Sequence, residues 1–363
     1  MFAIAVLLFL AQAAPSGSML APWGGASAFP PLYRASLDAF FTAESAYRGG
    51  DYRRASEILL AFWTAHPTGT AEWASGIRDA QTLAATKGVN FGTPAFYSAL
   101  RMLTECVEWR LHADPRVAPQ TIRWTVVLVG KSNEGQVRHT LAPTTAGYVG
   151  ESTSLFTEYL CAITQGRLKV DLRLLPLPEL ELPVERVTRS VQAGGVSYDA
   201  SFADLVPAAM PRIWRAVPAD VRTATDWWWV LYPSHVPEGA TTNFITGGMG
   251  FGPDSVSPAF LIDDLWLVRI PPTLGYGPYT SEQRRAYLPQ WLQHEFFHHL
   301  YRSYPGFGLE ASGHQWFDRK RWPDDFDGAL EADYFAESVH KRLRDARPPF
   351  EVVLRYAESG GRH

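Results

Sequence analysis

The sequence predicts a mixed α+β protein with a helical N-terminal part and a C-terminal part built on a sheet. Over residues 35–112, apolar residues recur at helical spacing in four segments, at 36–48, 52–66, 70–87 and 94–112. After Pro115, runs rich in β-branched and aromatic residues alternate with helical segments, which is typical of strands and helices packed in layers. We therefore expect a helical domain over residues 19–117 and an α/β mixed domain over residues 118–363.

The first two helical segments predict a helical hairpin. Gly49 and Gly50 separate them, and the small and aromatic residues of the run 43–67 have a spacing similar to one tetratricopeptide hairpin. No second copy follows at the expected period, so the sequence does not indicate a repeat array. A plain helical domain packed on its neighbour is the alternative interpretation.

The C-terminal part alternates between strand and helix patterns. The predicted strands are 121–130, 167–176, 184–191, 226–234 and 260–270, and the predicted helices are 153–164 and 202–217. A glycine-rich stretch covers residues 242–252. The run Thr280-Ser281-Glu282-Gln283 has the spacing of a capping box and predicts the start of a further helix.

Charge and cysteine content exclude several classes of protein. The 363 residues have a net charge of −4 and no long basic run, so we do not expect nucleic acid as a partner. The 2 cysteines exclude a disulfide-built miniature fold and a zinc finger with several cysteines. Cys106 and Cys161 are expected on separate helices, where they form either a disulfide or two free thiols.

The N-terminus has the pattern of a short secretory signal peptide. Residues 2–10 are apolar and are followed by Ala11-Gln12-Ala13, a small-x-small cleavage pattern, so we expect residues 1–13 to be removed. The apolar run is shorter than the roughly 20 residues that a membrane-spanning helix needs. The prediction is a secreted or periplasmic protein with no transmembrane segment in the mature chain; a retained N-terminal anchor is the alternative.

One motif predicts chemistry, namely His294-Glu295-Phe296-Phe297-His298, which lies in the helix expected after Thr280. Histidines four positions apart project from one helical face, so His294 and His298 can bind the same zinc ion. Glu295 is then placed to accept a proton from a water activated by the metal. Leu292, Phe296 and Leu300 are expected to point away from this face, toward a core.

A catalytic zinc ion usually has three protein ligands, so the sequence must supply another. The helix predicted at 329–343 has Asp333 and Glu337 one turn apart beside its apolar stripe. We expect Asp333 to be the ligand and Glu337 to orient a ligating histidine. The reverse assignment stays open, as do the nearer residues Glu310 and His314.

These residues resemble the zincin metallopeptidases, specifically their gluzincin and lethal-factor-like branch. The resemblance is carried by the motif at 294–298 and by Asp333-Tyr334-Phe335-Ala336-Glu337, which is similar to an E-F-F-A-E stretch of that branch. The first acid of that stretch is the family's ligand, which corresponds to Asp333, with Asp in place of Glu. Zincins also place an edge strand along the substrate cleft, which implies this role for the stretch containing Gly247 and Gly248.

The resemblance implies a secreted zinc-dependent metallopeptidase that hydrolyses a peptide or protein substrate. Glu295 would act as the general base, and a further donor would stabilise the oxyanion. His314 is the favoured donor, and the alternatives are Tyr301, Tyr304 and Tyr334. The competing hypothesis is a secreted module that binds metal, protein or glycan without catalysis, and a structural or adhesion protein is a third.

Overall fold

The computed structural model describes most of the chain between residues 31 and 344. The described residues are 31–68, 70–73, 75–76, 93–193, 196–205, 209–234, 243–244, 248–250, 259–263, 285, 289, 292–293, 296 and 330–344. Its helices are α1 (Pro31–Arg48), α2 (Tyr52–Ala65), α3 (Thr93–His112), α4 (Thr145–Ile163), α5 (Ala209–Ala216), α6 (Ala219–Thr223) and α7 (Glu331–Arg344). Its strands are β1 (Gln120–Glu134), β2 (Val137–Thr140), β3 (Leu168–Ala193), β4 (Val196–Leu205), β5 (Trp227–Tyr232), β6 (Asn243–Phe244), β7 (Gly248–Gly250) and β8 (Ala259–Asp263).

Helices and strands are thus mixed in one fold, as the sequence predicts. The N-terminal helices α1 and α2 are joined by a tight turn in which Gly50 has a φ of 80°, a conformation that suits glycine. Asp51 begins α2 by accepting a hydrogen bond from the backbone N–H of Arg54 at 3.0 Å. Phe40, Leu59 and Phe62 are buried between these helices and α3.

The sheet has a parallel centre and antiparallel additions. Its described strands follow the order β6-β4-β3-β1-β5-β8-β7, and β2 pairs with β1. The four adjacent strands β3, β1, β5 and β8 are parallel to one another, and β6 is parallel to β4. Antiparallel pairs join β3 to β4, β8 to β7 and β1 to β2.

Helices cover both faces of the central strands. All six residues of β5 are buried, which is why this strand has an unbroken apolar sequence. Successive side chains of a strand point to opposite faces. Trp227, Trp229 and Leu231 therefore join the core with α4, whereas Trp228 and Val230 join a second cluster with α5.

The N-terminal helices share the larger core with the sheet. One continuous hydrophobic cluster contains Leu59 of α2, Leu103 of α3, Phe156 of α4, Trp229 of β5 and Phe335 of α7. Residues 31–112 therefore pack directly on the sheet-containing part. The division into domains at residues 117 and 118 stays a prediction.

The boundaries of several elements differ from the sequence prediction. The strands expected at 167–176 and 184–191 are one long strand, β3, because β1 pairs with its first half and β4 with its second. The prediction of a helix from residue 202 is wrong for its first residues, because 202–205 pair with β3 and helix α5 begins at Ala209. Helix α4 begins at Thr145 rather than at residue 153.

A glycine explains the one irregularity in the pairing of β1 with β3. The register shifts between Val129 and Lys131. A Cβ atom on Gly130 would collide with the carbonyl of Pro178, so the close approach of the two strands requires glycine there.

The N-terminal segment 1–13 lies outside the described residues, so the predicted signal peptide stays a prediction. Cys106 is buried in α3 and Cys161 is partly buried in α4, and both are free thiols in this structure. Among the described residues, no helix is long and apolar enough to cross a membrane.

Candidate functional site

The segment that carries the histidine motif is described only in part. His294, Glu295 and His298 lie outside the described residues, whereas Leu292 and Phe296 are described, helical and buried. This burial confirms the prediction that Leu292 and Phe296 face a core; Leu300 lies outside the described residues.

Phe296 anchors the motif segment to the centre of the molecule. Its ring lies 4.6 Å from that of Trp227 in β5 and 5.7 Å from that of Phe156 in α4, measured between centroids. The ring of Phe335 in α7 lies 6.3 Å away. Aromatic pairs at these separations stabilise a core beyond the area that they bury. Phe296 therefore packs against the sheet, α4 and α7 at once.

Gln293, next to the first histidine, is a buried polar residue. Its side chain is fully buried, and within the described part of the chain neither its amide oxygen nor its amide nitrogen has a hydrogen-bond partner. The first histidine of the motif therefore follows a buried amide side chain.

Asp333, the predicted third ligand, lies at the start of α7 and contacts its own backbone. One carboxylate oxygen accepts a hydrogen bond from the N–H of Leu330 at 3.1 Å, and the Leu330 carbonyl accepts one from the N–H of Tyr334. Leu330 is therefore the N-cap residue, and Asp333 occupies the third helical position, as the acid of a capping box does. This contact explains why the helix begins where it does.

The other oxygen of Asp333 lies 2.7 Å from the Nε of Arg101, which comes from α3. The side chain of Asp333 is 12% exposed, and that of Arg101 is 37% exposed. Arg101 also stacks over the ring of Trp63 at 5.7 Å. Burial lowers the pKa of Arg101, but the charges of Asp333 and Glu105 outweigh it and the pKa is raised.

Glu337, one turn after Asp333, pairs with Arg344 of the same helix and is 43% exposed. Asp333 and Glu337 share one side of α7, since they are four residues apart. Phe335 lies about 200° from Asp333 around the helix and contacts Phe296. The structure thus brings the motif segment to the Phe335 side of α7, and it brings Arg101 to Asp333.

The chemistry of the predicted donors is suited to zinc. Two imidazoles and a carboxylate are a common ligand set for this ion. Asp333 accepts a backbone hydrogen bond from Leu330 and lies beside Arg101, and a carboxylate offers roughly four acceptor positions in all. Among the residues that the structure describes, which lack both motif histidines, no group of three His, Cys, Asp or Glu side chains could hold a metal ion.

Of the two glycines named in the predicted substrate strand, the structure describes Gly248. Gly248 belongs to β7, which pairs antiparallel with β8 and is the last strand in the described order. Gly247 lies outside the described residues, as does His314, the favoured oxyanion donor.

Sequence reasoning missed two buried residues, of which one contacts α7 and the other contacts Arg285. Tyr159 of α4 is buried and donates a hydrogen bond to the Ala332 carbonyl at 2.7 Å. Glu44 of α1 is buried and lies 2.8 Å from the Nε of Arg285, which precedes the motif. Glu44 is an acid among the apolar positions of α1, and this pattern could have indicated a buried ion pair. The sequence contained no signal that its partner is Arg285.

The fold and the described contacts define a mixed α/β protein in which a largely parallel sheet, α4 and α7 contact Phe296. No protein-family model matches the chain, and no curated protein or solved structure is significantly similar to it.

Proposed function

We propose that this protein is a secreted or periplasmic zinc-dependent metallopeptidase of the zincin type. The observation that carries the proposal is the motif from His294 to His298, whose apolar residue Phe296 is buried against β5. In a regular helix, positions 294 and 298 lie on the side opposite to position 296. Anchoring Phe296 in the core therefore favours histidines that face away from it.

The fold supports the proposal in two respects. Strands and helix α4 precede the motif segment, and in zincins strands and a helix likewise precede the active helix. Strand β7 is antiparallel and last in the described order, which is suited to pairing with an extended peptide by backbone hydrogen bonds. The substrate class that fits this edge is therefore a peptide or protein segment in an extended conformation.

In the proposed mechanism, His294 and His298 would hold a zinc ion together with a carboxylate from α7. When bound, zinc would act as a Lewis acid that polarises the substrate carbonyl and activates water. Glu295 accepts the proton of that water and transfers it to the leaving amine. His314 donates a hydrogen bond to the oxyanion.

The proposal predicts that Glu295→Gln abolishes peptide hydrolysis and leaves zinc binding intact, because the amide cannot accept the proton. His294→Ala should lose the metal. Zinc stoichiometry is measured by elemental mass spectrometry on protein purified without chelator, and cleavage is measured on a mixed peptide library. Folded wild-type protein that contains no zinc after this purification would contradict the proposal. Zinc binding without cleavage would instead support the non-catalytic metal-binding alternative.

The third ligand is predicted to be Asp333, with Glu337 as the residue that orients a histidine. Asp333→Asn should weaken zinc binding more than Glu337→Gln does. For Glu337→Gln we expect the zinc affinity to fall by about 10-fold to 100-fold. A competitive titration with a chelating dye measures both affinities. The matched control is Glu57→Gln, an exposed acid on α2 that pairs with Arg54. A greater loss of zinc affinity in Glu337→Gln than in Asp333→Asn would reverse the two assignments.

A further inference from the structure

A recess lined by cationic side chains lies between the loop after α4 and the second half of α7. Its volume is about 310 Å³, and the described residues that line it are Gln165, Arg167, His340, Leu343 and Arg344. Two guanidinium groups, an imidazole and an amide thus converge on one space from parts of the chain that are distant in sequence. All four groups can donate hydrogen bonds.

Arg167 is not needed to complete the end of helix α4. The carbonyls of Leu160, Cys161, Ala162 and Thr164 each accept a hydrogen bond from a backbone N–H of residues 164–167. The last carbonyls of a helix are often satisfied by a cationic side chain, but here the chain's own turn satisfies them. The guanidinium of Arg167 is therefore available for another partner.

The turn itself adopts an uncommon conformation. Gln165 has a φ of 53°, and it is the one non-glycine residue with a positive φ in the part of the chain that the structure describes. A residue with a Cβ atom pays roughly 1–2 kcal/mol for this conformation, which glycine would adopt freely. The chain nevertheless keeps a side-chain amide at this edge of the recess.

Within the described part of the chain, one of the two arginines of this recess has an acidic partner and the other does not. Glu337 pairs with Arg344. Arg167 and His340 have no acidic partner among the described residues. Cationic groups that face one space repel each other, and a bound anion removes this repulsion.

We propose that this recess binds a phosphate or sulfate group, held by Arg167, His340 and Arg344 with the amide of Gln165. The planar guanidinium matches two oxygens of a tetrahedral oxyanion at once. The volume is at the lower end of the range for ligand pockets, about 300–1,000 Å³, so the anion fits together with a small organic group. The proposal does not rest on the metallopeptidase function, because no residue that lines the recess is a predicted zinc ligand or catalytic residue.

The test measures inorganic phosphate binding to the full-length protein by isothermal titration calorimetry, in a chloride buffer of matched ionic strength. Arg167→Gln should weaken the affinity by about tenfold or more, because a hydrogen bond to a charged group is lost. His340→Gln should also weaken it. The matched control is Arg173→Gln on β3, an exposed arginine that pairs with Asp171 at 2.7 Å, and it should bind as wild type does.

A second titration uses glycerol 3-phosphate, and tighter binding than inorganic phosphate would support a phosphorylated small molecule as the ligand. Equal binding would support an inorganic anion in the same site. No saturable heat with either probe would overturn the proposal. Equal losses of affinity in Arg167→Gln and Arg173→Gln would also overturn it, because they would indicate a general effect of net charge.

Discussion

The two sides of α7 differ in what they contact and in how deeply they are buried. On one side, Phe335 is fully buried and lies between the rings of Phe296 and Tyr159, at 6.3 and 6.2 Å. On the other side, Asp333 and Glu337 each pair with an arginine. The apolar side fixes the helix against the motif segment and α4, and the acidic side faces α3 and solvent.

The two acids on the acidic side differ in how deeply they are buried. Asp333 is 12% exposed, and its partner comes from another helix. Glu337 is 43% exposed, and its partner lies on the same helix. Water and salt screen an exposed pair, whereas a buried group that loses its partner keeps the cost of its desolvation. Equal charges one turn apart are therefore expected to contribute unequally to stability.

The largest expected effect comes from the apolar side. Phe335→Ala should lower the free energy of unfolding by about 3–5 kcal/mol, because it leaves a cavity beside the rings of Phe296 and Tyr159. Denaturation in urea measures this loss. The control is Lys341→Ala, an exposed position on the same helix. A loss below about 1 kcal/mol would mean that Phe335 does not anchor α7.

An intermediate effect is expected at the contact between α3 and α7. Arg101→Gln should lower the free energy of unfolding by about 2 kcal/mol, since Asp333 keeps its charge and loses its partner. The control is Arg54→Gln, an exposed arginine paired with Glu57. A double-mutant cycle with Asp333→Asn isolates the pair. A coupling energy near zero would contradict a direct contact.

The smallest effect is expected for the exposed pair. Glu337→Gln should change the free energy of unfolding by no more than about 0.5 kcal/mol, because the pair with Arg344 is open to solvent. The same urea titration measures it. A loss of stability as large as that of Arg101→Gln would contradict the expectation that the two acids contribute unequally.

Much of the fold could be predicted from local patterns. The spacing of apolar residues predicted α1, α2 and α3, and the run of tryptophans predicted the buried strand β5. The boundaries at residues 168–193 and 202–205 could not be predicted, because they depend on which strands pair. The pairing of 202–205 with β3 overrode the helical pattern of those residues.

The candidate site divides in the same way. Its motif, its acids and its apolar anchor Phe296 could be named from the sequence. The arginine beside Asp333 could not, because Arg101 lies in a helix that the sequence places in a different part of the chain. Arg101 interrupts the apolar residues of α3, which was a signal for a partner, although not for which partner.

The sequence by itself determined the motif from His294 to His298, the alternation of helices with strands, and the residues that form the core. These properties depend on side chains a few positions apart, whose period decides which face is apolar. Only the tertiary structure decided that the N-terminal helices share the core of the sheet, that Asp333 pairs with Arg101, and that β7 lies last in the described order. Those contacts join residues far apart in the chain, and burial of the whole core selects them.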